Sequence, residues 1–119
     1  MNQIDFNTEF RKETKLLALE VIRFFQTLPK TDECIIIGKQ MLRSATSVGA
    51  NFRAVCRARS VREKYAKLSI VVEESDETLF WIEIIEEAKV ASIPPFLYER
   101  ALGITKAMAS YRRKMKDVR

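Results

Sequence analysis

Six arginines carry most of the chemistry this chain could perform. Arg53, Arg57, Arg59 and Arg62 crowd into one short stretch, and Arg112 and Arg113 stand side by side near the C-terminus. A guanidinium is a planar fork that donates two parallel hydrogen bonds, the geometry that matches phosphate. A patch of this kind with no means of reading bases binds anions by charge, with strong salt dependence and weak sequence preference. A second set, Gln40, Ser44, Ser47 and Asn51, recurs at steps of four, three and four. On a helix these residues form one polar line, either bathed in solvent or set as a seam against another subunit. Arg43 lies beside that line. Trp81, next to Phe80, adds more aromatic surface than one core needs, which favours oligomerisation. Gln40, Arg43, Ser44, Ser47, Asn51 and Trp81 are therefore the candidate subunit interface. In it, Asn51 beside Arg53 would hold register by hydrogen bonds.

The same inventory argues against catalysis. There is no histidine, which removes His-based triads, Cys-His dyads and every His-containing metal site. A lone Ser or Cys nucleophile would need another base, and none is arranged for it. The cluster Glu73, Glu74, Asp76 and Glu77 invites a di-iron reading, but carboxylate sites of that class in helical bundles use Glu-x-x-His. A solvated face or a set of salt-bridge partners fits the cluster better. The expectation is a protein that is not an enzyme and takes no cofactor and no metal.

These residues need helices to position them. The 119 residues hold only three Gly and three Pro, which argues for few loops and long helices. That length makes one domain, 1–119. Hydrophobic residues at 47% and charged ones at 31% are the composition of a folded globular chain. The first helix is predicted over 8–28, with Phe10, Thr14, Leu17, Val21, Phe24 and Leu28 on one face, and Pro29 ends it. The second, 32–57, opens on Asp32 and Glu33, which suit the positive end of the helix dipole. Its buried stripe is Cys34, Gly38, Met41, Ala45, Val48, Phe52 and Val55. Gly38 and Gly49 would each cost about 1 kcal/mol in a helix relative to Ala, and close packing is the simplest compensation.

The third helix, 61–90, starts at a capping box, Ser60 with Glu63. Its stripe is Val61, Tyr65, Leu68, Val72, Ser75, Leu79 and Ile82. A second apolar line, Ile70, Trp81, Ile84, Ile85 and Ala88, widens the arc. The fourth, 95–117, opens on a proline in the first turn and buries Leu97, Ala101, Ile104, Met108, Tyr111 and Met115. Four such helices on short links give an all-α fold, an antiparallel up-down-up-down four-helix bundle. Cys34 and Cys56 fall on one helix, roughly 33 Å apart at 1.5 Å per residue, so they cannot pair and are expected as buried free thiols.

Charge is segregated along the chain. Lys39–Lys67 holds eight bases against Glu63, Glu73–Glu87 holds seven acids and no base, and 106–119 holds six bases against Asp117. The net charge of +5 permits an anionic partner without requiring one. The blocks either pair with each other, within or between subunits, or leave the arginines free as an anion-binding face. No apolar run reaches the ~20 residues of a membrane span, and the N-terminus has no signal-peptide pattern, so a cytoplasmic location is expected.

The stretch Gln40…Arg43-Ser-Ala45…Ser47-Val-Gly-Ala-Asn51-Phe-Arg-Ala54, then Arg57-Ala-Arg-Ser60, then Ala66-Lys-Leu-Ser-Ile-Val-Val-Glu-Glu74-Ser-Asp-Glu77-Thr-Leu-Phe-Trp81, resembles the bacterial four-helix bundle proteins related to the 23S rRNA intervening-sequence proteins. The resemblance covers nearly the whole length. Many members carry Asn-Ile-Ala-Glu-Gly where this chain has Asn51-Phe-Arg-Ala-Val55, which sets it in a basic branch. The resemblance implies an antiparallel bundle, often assembled as a ring-like homopentamer. It extends to the accessory variability protein of diversity-generating retroelements, a basic pentamer of similar fold associated with nucleic acid and a reverse transcriptase. Two expectations follow. One is a homo-oligomeric bundle that binds nucleic acid, structured RNA by preference, through Arg53, Arg57, Arg59, Arg62, Arg112 and Arg113. The other is a protein-interaction scaffold whose basic and acidic blocks pair between subunits.

Overall fold

The computed structural model describes the backbone of residues 1–118 and the side chains of residues 1–115. Four helices follow in order: α1 (Gln3–Thr27), α2 (Asp32–Cys56), α3 (Val61–Glu87) and α4 (Leu97–Val118). Each packs on its neighbour in sequence, and α1 closes on α4, which makes an antiparallel four-helix bundle of 47 × 21 × 20 Å. No helix among the described residues is long and apolar enough to cross a membrane.

The predicted stripes of α1, α2 and α4 face the core. On α2 every one of Cys34, Gly38, Met41, Ala45, Val48, Phe52 and Val55 is buried. On α1 Thr14, Leu17, Val21, Phe24 and Leu28 are buried and Phe10 is partly so. On α4 Leu97, Ala101, Ile104, Met108 and Met115 are buried, with Tyr111 at the margin. The stripe on α3 is displaced. Val71 and Thr78 are fully buried, Val72 is only half-buried, and Val61 and Ile70 are exposed at 49% and 37%. The buried residues of α3, Leu68, Val71, Ser75, Thr78, Leu79, Ile82 and Ile85, spread over a wider arc than the predicted stripe.

Two hydroxyl pairs cross that arc. Ser44 on α2 meets Thr78 on α3 at 2.9 Å, and Ser75 on α3 meets Thr105 on α4. Thr78 and Thr105 also donate to carbonyls of their own helices at 2.8 and 2.7 Å. Among the described residues no buried side-chain polar atom lacks a partner, as burial of polar groups requires.

The helix ends have local causes. Asn2 caps α1 by accepting from the Asp5 amide at 2.8 Å, so α1 begins at Gln3 and not near residue 8. Its first turn was hidden from apolar periodicity because Ile4 is 76% exposed and only Phe6 turns inward. Thr31 caps α2, and Ser60 caps α3 by accepting from Glu63 at 3.0 Å. The return arm of that box goes to the Arg59 amide and not to Ser60. Helix α3 stops at Glu87, short of residue 90. Lys89 takes a left-handed conformation (φ 58°), with Lys89 N–H donating to Glu86 and Val90 N–H to Ile85. That is a Schellman stop with lysine where glycine is usual. Pro94 and Pro95 precede α4 and do not enter its first turn.

The two predicted close approaches separate. A Cβ on Gly38 would fall 2.8 Å from Leu28 and Phe25 side-chain atoms, so glycine there does serve the α1–α2 contact. A Cβ on Gly49 would sit 3.5 Å from the Thr14 carbonyl oxygen, an ordinary contact. Packing does not compensate the flexibility of Gly49. Gly49→Ala should therefore stabilise the fold by about 1 kcal/mol and raise the melting temperature by a few degrees. A thermal melt showing a lower midpoint would mean that α1 approaches more closely than this.

Candidate anion-binding site

Antiparallel topology brings four chain segments to one end of the bundle: the starts of α1 and α3 and the ends of α2 and α4. An aromatic knot fixes that end. The Phe6 ring lies 4.6 Å from Phe10, 6.3 Å from Phe52 and 5.1 Å from Tyr111, centroid to centroid. The arginines singled out in the sequence surround it. Arg53 lies in the last turn of α2, Arg57 caps it, Arg59 sits in the link, Arg62 opens α3, and Arg112 and Arg113 are near the end of α4.

Their states differ. Arg53, Arg57, Arg59, Arg62 and Arg113 are exposed, and among the described residues none is in an ion pair. Arg112 is partly committed to the fold. Its Nε donates to Ser69 Oγ at 2.9 Å, and its guanidinium lies 5.2 Å from the Tyr65 ring centroid. The ion pairs that do form lie elsewhere. Arg43 on α2 pairs with Glu74 (2.8 Å) and Glu77 on α3, and Arg100 on α4 pairs with Glu13 (2.6 Å) and Glu20 on α1. Pairing between the basic and acidic blocks within the chain thus accounts for Arg43 and leaves the arginine cluster unspent.

The sequence missed two cations. Arg11 and Lys15 on α1 face Arg53 and Arg57 across a groove of about 590 Å³, floored by Thr14, Ala18, Thr46, Gly49, Ala50 and Ala54. Alternating charges on α1 hid them, since Glu9, Lys12 and Glu13 stand among them. Only the packing of α1 on α2 sorts these residues onto different faces. Cys56 borders the groove beside Arg11, Arg53 and Arg57. Both thiols are free, Cys34 buried as expected but Cys56 only partly. Burial pushes the Cys56 thiol upward, against the pull of the Arg11, Lys64 and Arg57 cations.

The proposed interface residues lie along the outer seam of α2 and α3, with one correction. Ser44 is fully buried and bonded to Thr78, so it is a core residue and cannot meet another subunit. A hydroxyl at that spacing looks the same in sequence whether it faces water or a hydroxyl on the next helix. Asn51 turns its amide onto its own helix, donating to the Ser47 carbonyl and hydroxyl, each at 2.9 Å. Trp81 Nε1 donates to Glu77 at 3.2 Å. Phe80 packs edge-on against Trp81 at 4.9 Å yet stays 50% exposed. Gln40 and Arg43 are exposed.

The model of the family described as 23S rRNA-intervening sequence protein matches residues 7–102. Among solved structures, a protein of unknown function from the S23 ribosomal protein family of Bacteroides thetaiotaomicron superposes with a TM-score of 0.81. It is 24% identical, and the match covers 90% of this chain and 97% of that one. That likeness shows the fold. No curated protein matches the chain.

The thiolate is the form that reacts with alkylating reagents. Cys56 alkylation should therefore show a pH midpoint above that of an unstructured cysteine peptide, while Cys34, 2% exposed, stays unmodified in the folded protein. Mass spectrometry after short iodoacetamide pulses reads both. A Cys56 midpoint at or below the peptide value would mean that the cations outweigh burial.

Proposed function

The chain belongs to the 23S rRNA-intervening sequence protein family, and from that premise we propose a non-enzymatic, cytoplasmic, homo-oligomeric bundle that binds nucleic acid, structured RNA by preference. Arg53, Arg57, Arg59, Arg62 and Arg113 contact phosphate, with Arg112 contributing the donors not given to Ser69. The observation that carries this reading is the gathering of exposed guanidinium groups at one end of the bundle, none of them in an ion pair among the described residues. Like charges held together repel, and a polyanion relieves that repulsion. The family's link to ribosomal RNA makes RNA the first ligand to try. A pentamer, the assembly implied by the resemblance, would repeat the basic end around a ring.

The second reading is a protein-interaction scaffold in which basic and acidic blocks pair between subunits. It draws on the exposed acids Glu73, Asp76, Glu86 and Glu87 and on the half-exposed Phe80. Under it, Arg53→Glu splits the oligomer, seen as a fall in mass by light scattering.

Under the first reading, reversing Arg57 and Arg59 to Glu lowers RNA affinity at least tenfold at 50 mM salt and flattens the plot of log affinity against log salt, because each lost phosphate contact removes counterion release. Filter binding from 50 to 300 mM salt measures this. Unchanged affinity and slope would sink the assignment.

A further inference from the structure

The groove between α1 and α2 shares Arg53 and Arg57 with the end face and adds Arg11 and Lys15 from α1. Its cations come as two pairs, Arg11 with Lys15 and Arg53 with Arg57, each one helical turn apart, and no carboxylate lines it. Like charges at this spacing destabilise a helix, and among the described residues none of the four is in an ion pair. Glu13, which lies between Arg11 and Lys15 in sequence, is on the opposite side of α1, paired with Arg100 on α4. The groove floor is small and mostly apolar, and it has no aromatic ring on which a base could stack.

We propose that this groove is a backbone clamp for a nucleic-acid strand, with Arg11 and Lys15 on one wall and Arg53 and Arg57 on the other, the members of each pair holding every second phosphate. The inference rests on the nucleic-acid reading above. One helical turn between the members of each pair is about 6 Å, or about two nucleotides of a stacked strand at 3.4 Å each. The volume of about 590 Å³ suits a ligand of that size. Alanine and glycine let the sugars lie close to the floor. With no stacking platform the clamp fixes the strand's position and reads no sequence. The same phosphate chemistry is carried by a free polyphosphate, and the experiment separates the two sources.

The test compares the full chain with Arg11→Gln/Lys15→Gln, which removes one wall, and Arg59→Gln/Arg62→Gln, which lies outside the groove. Glutamine keeps helix propensity, and circular dichroism confirms that each variant is folded. Anisotropy of a labelled single-stranded 12-nucleotide RNA is measured against salt, and amide shifts at Ala18, Gly49 and Ala50 are followed with RNA and with pyrophosphate. The groove variant should lose about tenfold in affinity at 50 mM salt. Its log–log salt slope should shrink by about 1.4, at about 0.7 per single-strand phosphate. RNA should shift the groove amides in the parent and not in that variant. If the parent binds RNA but the groove variant matches it in affinity and slope, the clamp is wrong and the nucleic-acid reading stands. If no RNA binds, both fail, and pyrophosphate shifts at the groove amides would then reassign the cations to a free polyphosphate.

Discussion

The alternation of helix direction is the constraint from which the rest of the molecule follows. Leu28–Thr31 and Arg57–Ser60 are too short to carry the chain back along the bundle, so α2 must run against α1 and α3 against α2. Residues distant in sequence therefore meet at one end, and the basic residues of α2, α3 and α4 are among them. The aromatic knot of Phe6, Phe10, Phe52 and Tyr111 holds three of the four converging helices. The acidic stretch of α3 begins near mid-bundle and runs to the other end. A charge pattern that reads as successive blocks along the chain becomes an axial polarity in the fold.

The core makes that polarity tolerable by spending few charges. Its polar members are hydroxyls, which pair across helices or with their own backbone. The ion pairs that tie helices together, Arg43 to α3 and Arg100 to α1, lie away from the arginine cluster. The Arg43 guanidinium is half exposed, and a pair that open contributes about 1 kcal/mol or less. Stability thus rests on apolar burial and backbone hydrogen bonds, and the arginines at the basic end are not needed to hold the bundle together. Those arginines do complement the negative C-terminal ends of α2 and α4, a small gain beside the repulsion among them.

The sequence was most legible where a helix buries one narrow face. The α2 stripe could be read residue by residue because the steps of four and three run unbroken from Cys34 to Val55. Helix α3 was read less well because its buried positions, Leu68, Val71, Ser75, Thr78, Leu79, Ile82 and Ile85, spread over a wide arc that has no single period. Ser44 shows the limit most sharply. Its spacing with Gln40, Ser47 and Asn51 is that of an exposed line, and only Thr78, brought alongside on α3, makes it core. Arg11 and Lys15 failed to stand out for the converse reason. Their neighbours in sequence carry the opposite sign, and what makes them a site is the face of α2 they happen to oppose.

Axial polarity couples the two halves of the functional reading. Copies packed in parallel around a ring would set their basic ends side by side, where repulsion opposes assembly. Copies packed antiparallel would set basic end against acidic stretch and would cover the arginines. Only the first arrangement leaves the guanidinium groups open to a ligand, and in it a bound polyanion would relieve the repulsion between subunits as well as within each. By mass action, whatever binds the assembled form stabilises it, so in a parallel ring nucleic-acid binding and oligomerisation must reinforce each other. An antiparallel assembly would make them compete. The sign of the linkage between RNA and subunit association therefore distinguishes the ring from the scaffold without any need to see the interface itself.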